Sequence, residues 1–237
     1  MAEVLLETRG LSKFFKTAGG LLHAVEDVDL ALGAGRTLGV VGESGCGKST
    51  LGRTVLRLEK PSAGQVLFRG EDISALGRRQ LRSARRDMQM VFQDPAASLN
   101  ERATVDYIIS EGLYNFHLYE NEADRVRKVE RIIEAVGLLP EHLTRYPHEF
   151  SGGQRQRVGL ARAMVMEPEF VVADEPISAL DVSIRAQILN LMNKFQAEQG
   201  TTYMFIAHDL SIVRYISDRI GVIYKGKIVE IASSEEL

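Results

Sequence analysis

The stretch LGVVGESGCGKST, residues 38–50, constrains the fold of this chain more than any other. An apolar run, Leu38 to Val41, leads straight into Gly42, Glu43, Ser44, Gly45, Cys46, Gly47, Lys48 and Ser49. That string fits G-x-x-x-x-G-K-[ST], the phosphate-binding loop between a buried strand and a helix. The residue types follow from the ligand. A triphosphate is held by several backbone N–H groups aimed inward together, and glycines let the chain take that concave turn. Lys48 brings a point charge to the β- and γ-phosphates. The Ser49 hydroxyl, ahead of Thr50, is a hard oxygen ligand for Mg2+. A helix is expected from about Lys48 to Leu58, with its positive N-terminal end facing the anion.

With 237 residues the chain can form one large α/β domain or two lobes around a sizeable core. Its composition, 45% hydrophobic and 26% charged, is that of a globular protein. A net charge of −3 gives no bulk attraction to nucleic acid or to an anionic membrane, so no nucleic-acid partner is expected. No apolar run approaches the ~20 residues of a membrane span. The apolar stretch in MAEVLLETRG is too short for a secretory signal. Cys46 is the sole cysteine, which excludes an internal disulfide and fits a cytosolic setting.

Residues 1–41 read as strands: Val4 to Leu6 is apolar, and Val28, Leu30 and Leu32 alternate with polar or small neighbours. Phe14 and Phe15, taken as residues alone, read as core. Gly64 punctuates before a short strand, Gln65 to Phe68. In GRRQLRSARRD, Arg78, Arg79, Arg82, Arg85 and Arg86 fit either a phosphate-backbone site or a solvated basic helix. The missing aromatics and the acidic net charge favour the solvated helix. Met88 to Phe92 is another buried strand. From about Thr104 to Leu139 the spacing turns helical, as in Val126, Val129, Ile132, Ile133 and Val136, and Gly137 and Pro140 supply a stop. Strands return at Phe170 to Ala173, Thr202 to Ala207 and Ile220 to Tyr224, with helices over Asp181 to Gln199 and Asp209 to Ile216. This alternation implies a parallel sheet with helices on both faces. A helical insertion is expected over 94–167, splitting a core made of 1–93 and 168–237.

Two further stretches carry chemistry. In FVVADEP an apolar strand delivers Asp174 and Glu175 at its C-terminal end, where open parallel sheets bind ligands. Successive strand residues point to opposite sides, so the two carboxylates cannot share one task. Asp174 suits the Mg2+ shell, usually through water, which leaves Glu175 to orient and deprotonate an attacking water. In FSGGQRQR, Ser151 can cap a helix whose first N–H groups Gly152 and Gly153 leave sterically open. That stretch reads as a second anion site or as an ordinary N-cap.

The phosphate loop, Gln93 after a strand, SGGQ, the ADE strand end, Ser178-Ala179-Leu180-Asp181 and His208-Asp209 stand in an order that resembles the ATP-binding cassette (ABC) ATPases. VVGESGCGKST, VFQDPAASLN, RYPHEFSGGQ, SALDVSI and FIAHDL resemble one branch, the ATPase subunits of dipeptide and oligopeptide importers. The resemblance runs over nearly the whole chain. It implies an α/β P-loop NTPase fold, a RecA-like parallel-sheet core with an N-terminal antiparallel β subdomain and an inserted α-helical subdomain. It implies ATP hydrolysis to ADP and phosphate with Mg2+, coupled to transport at the cytoplasmic side of the inner membrane. The implied partners are transmembrane permease subunits, a second ATPase subunit and, indirectly, a substrate-binding protein.

The same resemblance implies roles. Two subunits face head to tail, and each ATP lies on the loop from Gly42 to Thr50 of one subunit. Ser151, Gly152, Gly153 and Gln154 of the other cover its γ-phosphate. Phe15 is similar to the aromatic that stacks on adenine. Gln93 is similar to the residue joining Mg2+ and water to the permease. His208 is similar to a switch histidine at the γ-phosphate, and Asp181 to an aspartate crossing the dimer interface. Lys48 and Glu175 keep the roles already given, and Ser49, Gln93 and Asp174 form the metal set. The remaining histidines, His23, His117, His142 and His148, show no metal-ligand spacing and read as structural or exposed.

The chain departs from the resemblance in a few places: Phe150 stands where Leu is commoner, Ile177 where many members have Thr, and Glu101 where this branch commonly has Pro. Ser233-Ser234-Glu235-Glu236 contains the capping box S-x-x-E with only Leu237 after it, so a longer natural chain is expected. The alternative function is a soluble ABC ATPase not coupled to a permease. A guanine-reading N-K-x-D is missing, because Phe195 and Gln196 follow Asn193-Lys194. A non-enzymatic regulator is expected to lack Lys48 or Glu175, and both are present. The cargo and the choice between homodimer and heterodimer are not encoded in these motifs.

Overall fold

Strands that alternate in burial set the frame. The computed structural model describes residues 3–178 and 180–236, with the backbone alone at 95 and 96. Ala179 in the SALD stretch and Leu237 lie outside the described residues, as do the side chains of Pro95 and Ala96 in VFQDPAASLN. In chain order the strands are β1 (Val4–Thr17), β2 (Gly20–Gly33), β3 (Thr37–Val41), β4 (Ala63–Phe68), β5 (Glu71–Asp72), β6 (Met88–Val91), β7 (Phe170–Asp174), β8 (Thr202–Ile206), β9 (Arg219–Tyr224) and β10 (Lys227–Ser233). The helices are α1 (Lys48–Val55), α2 (Arg78–Asp87), α3 (Pro95–Ser98), α4 (Val105–Phe116), α5 (Glu122–Ala135), α6 (Gly152–Met164), α7 (Val182–Gln199) and α8 (Leu210–Ile216).

The strands form two sheets. One has the order β2-β1-β4-β5 and is antiparallel, with β1 pairing both β2 and β4. The other has the order β10-β9-β3-β8-β7-β6. Its strands β9, β3, β8, β7 and β6 run parallel, in a register that sets Val40 opposite Ile206 and Gly221. The expectation of a parallel sheet is corrected at one edge. There β10 pairs antiparallel with β9, through a turn in which Lys225 and Gly226 both have positive φ. Its residues are exposed or half-buried, so KIVEIAS lacks the apolar run that marks the inner strands.

The inner strands β3, β7 and β8 are buried throughout and send successive side chains into two separate cores. Phe170, Val172, Met204 and Ile206 face the layer formed by α1 and the antiparallel sheet. Val171, Ala173, Tyr203 and Phe205 face the side that carries the helices between β6 and β7. Burying each of the Val, Ile, Met and Phe side chains among these contributes about 1.5–3 kcal/mol, enough to fix the strand register.

Among the described residues, everything between β6 and β7 is helix, 3-10 turn or loop. The helical run expected over 104–139 is two helices. His117 adopts φ 53° and ends α4, and the Asn121 side chain restarts the helix by accepting from the Asp124 N–H at 3.0 Å. Arg125 ties the two together. Its guanidinium, 8% exposed, pairs with Glu122 at 2.6 Å and Asp106 at 2.9 Å, and donates to the Ser110 hydroxyl at 2.6 Å. The bond to Glu122, followed by that to Asp106, holds this guanidinium above its ordinary pKa.

Three further expectations change. The helix after the phosphate loop ends at Val55 rather than Leu58, because Arg57 turns to φ 54°. Phe14 and Phe15 are half-buried and not core, since their side chains sit at the far end of the β1–β2 ribbon. The Arg-rich helix is only partly solvated. Arg82 donates to the Asn115 carbonyl at 2.6 Å and lies over Phe116, while Arg85 donates to the Arg57 carbonyl at 2.5 Å.

Candidate nucleotide site

The site starts where β3 stops. Val41 is the last buried residue of the strand, and the loop from Gly42 turns back before α1 begins at Lys48. Gly47 adopts φ 111°, and a Cβ there would lie 2.0 Å from the Ala24 carbonyl oxygen. Only glycine fits that position. Outside buttresses hold the loop: the Gly226 N–H donates to the Cys46 carbonyl at 2.9 Å, and the Glu26 N–H donates to Gly226 at 2.8 Å.

Lys48 is 5% exposed, and its ammonium donates to the carbonyls of Gly42 and Glu43, both at 2.8 Å. An ammonium has three donors, so it crosses the loop and keeps one to offer. No side chain caps the N-terminus of α1, which leaves its first N–H groups facing the same hollow. Carbonyl-held cation, glycine turn and uncapped helix end together suit a polyphosphate.

Asp174 is the last residue of β7 and Glu175 the first beyond it, and their carboxyls find different partners. The Ser49 hydroxyl donates to Asp174 Oδ1 at 2.8 Å. Asp174 is 1% exposed, and this burial pushes its carboxyl above the ordinary range against the opposing pull of the Ser49 bond. A buried carboxylate beside a hydroxyl is a hard-oxygen set whose charge a small dication would balance, so these residues fit Mg2+. Glu175 turns the other way, with φ 45°. Its Oε2 accepts from Gln93 Nε2 at 3.1 Å, and His208 Nδ1 stands 3.6 Å from the same oxygen. Left-handed backbone at a non-glycine residue costs about 1–3 kcal/mol, and here it aims the carboxylate at Gln93. Among the described residues no cluster of three or more His, Cys, Asp or Glu is arranged to hold a metal.

A cavity of about 530 Å³ opens over the loop. Residues Glu43 to Thr50 of the loop line it together with Gln93 and Glu175, and the β1–β2 ribbon contributes Phe15, Leu22 and His23. Gly42 contributes through the carbonyl that holds Lys48, Asp174 through Ser49, and His208 through Glu175. The cavity does not include Ser151, Gly152, Gly153, Gln154 or Asp181. Ser151 N-caps α6 in a capping box: its hydroxyl accepts from the Gln154 N–H at 3.3 Å, and Gln154 Oε1 accepts from the Ser151 N–H at 2.9 Å. Asp181 is the exposed N-cap position of α7 and makes no side-chain cap bond.

Sequence reasoning missed the wall formed by Tyr224, Lys225 and Gly226. The K-G pair after an apolar strand was the available signal, since two positive-φ residues between strands make a tight hairpin turn. Of the remaining histidines, His142 is buried, with Nδ1 accepting the Leu139 N–H at 3.1 Å, and His148 lies 3.7 Å from Glu101. Phe150 and Ile177 are both buried. At the C-terminal end the Ser233 N–H and hydroxyl both donate to Glu236, so the S-x-x-E pattern does form a local cap.

Comparison with known proteins agrees with this geometry. The family described as ABC transporter matches residues 25–178. The oligopeptide transport ATP-binding protein AmiF of Streptococcus pneumoniae serotype 4 is 60% identical over 238 residues, covering 100% of this chain and 77% of AmiF. The oligopeptide transport ATP-binding protein OppF of Bacillus subtilis is 56% identical over 238 residues, covering 100% of this chain and 78% of OppF. Among solved structures, a dimeric ATP-binding cassette in a post-hydrolysis state bound to ADP and Pi superposes with a TM-score of 0.90 at 26% identity, covering 97% of this chain and 99% of that one. The structure of cbiO1 from Clostridium perfringens, part of the ABC transporter complex cbiONQ, gives a TM-score of 0.85 at 29% identity over 99% of this chain and 90% of its own. The chain belongs to the ABC transporter family of ATP-binding cassettes.

Proposed function

We propose that this protein is the ATP-hydrolysing subunit of an importer for dipeptides or oligopeptides. The observation that carries this reading is the meeting of Lys48, Ser49, Gln93 and Glu175 in one cavity, with His208 on the Glu175 carboxylate. In the mechanism, the loop N–H groups and Lys48 hold the β- and γ-phosphates of ATP in place. Ser49, Gln93 and Asp174 would hold Mg2+, which would supply positive charge to offset that building on the phosphate oxygens. Glu175 orients the attacking water and accepts its proton, with Gln93 fixing the carboxylate and His208 reporting on the γ-phosphate.

The signature residues Ser151, Gly152, Gly153 and Gln154, together with Asp181, act across a head-to-tail dimer on the partner's nucleotide. That role explains why they lie away from their own cavity. Residues 94–167 move as the helical subdomain against a core made of 1–93 and 168–237. The dimer, of two copies or of two related ATPases, drives a transmembrane permease from the cytoplasmic side of the inner membrane, and a substrate-binding protein supplies the cargo. The relatives named for oligopeptide transport support the choice of cargo class. No described helix is long and apolar enough to cross a membrane.

The test is a pull-down of the tagged protein from detergent-solubilised membranes, read by mass spectrometry. Recovery of a multispanning permease pair supports the importer reading. Recovery of only soluble partners, ribosomes or nucleic acid moves the weight to a soluble ABC ATPase.

A further inference from the structure

Lys13 has no place in the mechanism above, yet it makes three well-defined contacts. Its ammonium pairs with Glu59 at 3.0 Å, donates to the Lys60 carbonyl at 3.0 Å, and lies 4.7 Å from the centroid of the Phe15 ring. The side chain is 12% exposed, low for a lysine. Lys13 and Phe15 are two apart on one strand, so both side chains leave the same face of β1. The ammonium can therefore sit on the ring.

The anchors matter as much as the ring. Glu59 and Lys60 belong to the segment that follows α1, the helix springing from the phosphate loop. The same segment grips β1 a second time. The Ser62 hydroxyl accepts from the Phe14 N–H at 2.9 Å, and the Ser62 N–H donates to the Ser12 carbonyl at 2.8 Å. The strand carrying Phe15 is thus bracketed to the far end of the helix whose near end faces the phosphates. Phe15 lines the cavity and carries the Lys13 ammonium over its ring, whereas Lys13 itself is not part of the lining.

We infer that Lys13, braced by Glu59, is a positioning residue for the nucleobase. It holds the Phe15 ring at a fixed distance from the phosphate loop and keeps one face covered, so that the opposite face is presented to a flat aromatic base. The inference rests on the proposed nucleotide site and deepens it. It names the base end of that site as the part that Lys13 controls.

The experiment compares wild type, Lys13→Met, Lys13→Arg and Phe15→Ala in the purified chain. It measures the dissociation constant for Mg-ATP and, as a ligand without a base, that for inorganic tripolyphosphate with Mg2+. The ion pair to half-exposed Glu59 is a small part of stability, so Lys13→Met is expected to fold. Lys13→Met and Phe15→Ala are each expected to weaken Mg-ATP binding by about threefold or more, with tripolyphosphate binding held within about twofold. Lys13→Arg restores most of the loss, because a guanidinium also stacks on an aromatic face. A merely structural role would weaken both ligands in the same ratio, and that result overturns the inference. Wild-type Mg-ATP affinity in Lys13→Met alongside a loss in Phe15→Ala also overturns it, leaving the nucleotide site intact. Wild-type affinity in Phe15→Ala removes the base from the Phe15 ring and overturns the inference, whereas loss of both Mg-ATP and tripolyphosphate binding in wild type would overturn the nucleotide site itself.

Discussion

The side-chain amide of Gln93 donates to the carboxylate of Glu175 at 3.1 Å, although the two residues are 82 positions apart. Gln93 follows β6, and Glu175 follows β7, the neighbouring parallel strand, so their meeting is a consequence of strand order. Replacing Gln93 with Ala frees the carboxylate to rotate. One charge-assisted hydrogen bond at a partly exposed site is worth about 1 kcal/mol, so hydrolysis is expected to fall about fivefold to tenfold. Mg-ATP affinity is expected to fall as well, because the proposed Mg2+ set loses Gln93, while binding of metal-free ATP is expected to stay within about twofold, since the phosphate contacts are untouched. Steady-state phosphate release and equilibrium binding check the two halves separately.

Cys46 reports on the loop. Its thiol is half-buried and lines the cavity beside Lys48. A bulky maleimide is expected to label Cys46 and block Mg-ATP binding. Mg-ATP at ten times its dissociation constant is expected to slow the labelling by about tenfold, following simple occupancy. Equal labelling rates with and without ATP, read by intact mass, count against the loop assignment.

Gly47 tests the geometry of the turn. An added Cβ meets the Ala24 carbonyl oxygen at 2.0 Å with φ at 111°. Gly47→Ala is expected to destabilise the fold by about 1–3 kcal/mol through backbone strain alone, and to abolish Mg-ATP binding because the N–H groups no longer converge. Thermal unfolding with and without Mg-ATP reads both effects, and the ATP-induced rise in Tm seen in wild type is expected to vanish.

The parts of the fold legible in the sequence are those where local pattern and tertiary role coincide. Phe170 to Asp174 is buried on both faces and reads as a continuous apolar run, and Gly42 to Ser49 carries its chemistry in its spacing. The separate tasks of Asp174 and Glu175 are anticipated by strand alternation, but the aim of Glu175 rests on its left-handed backbone just past the end of β7, which the sequence does not mark. Legibility fails where context decides. β10 lies at a sheet edge with half-exposed residues, so no apolar pattern marks it. The break at His117 rests on a left-handed residue that is not glycine, and Arg82 and Arg85 find carbonyl partners that only the assembled fold brings near. The cavity wall at Tyr224 to Gly226 depends on how the β9–β10 turn packs against Cys46.

The central claim is that Glu175 is the base that activates water against ATP held on the 42–50 loop. The most direct measurement is phosphate release from Mg-ATP by wild type and Glu175→Gln, with nucleotide binding and oligomeric state measured in parallel. The account predicts that Glu175→Gln binds Mg-ATP, accumulates as an ATP-bound dimer and hydrolyses about a hundredfold or more slowly than wild type. Hydrolysis by Glu175→Gln at the wild-type rate would contradict it.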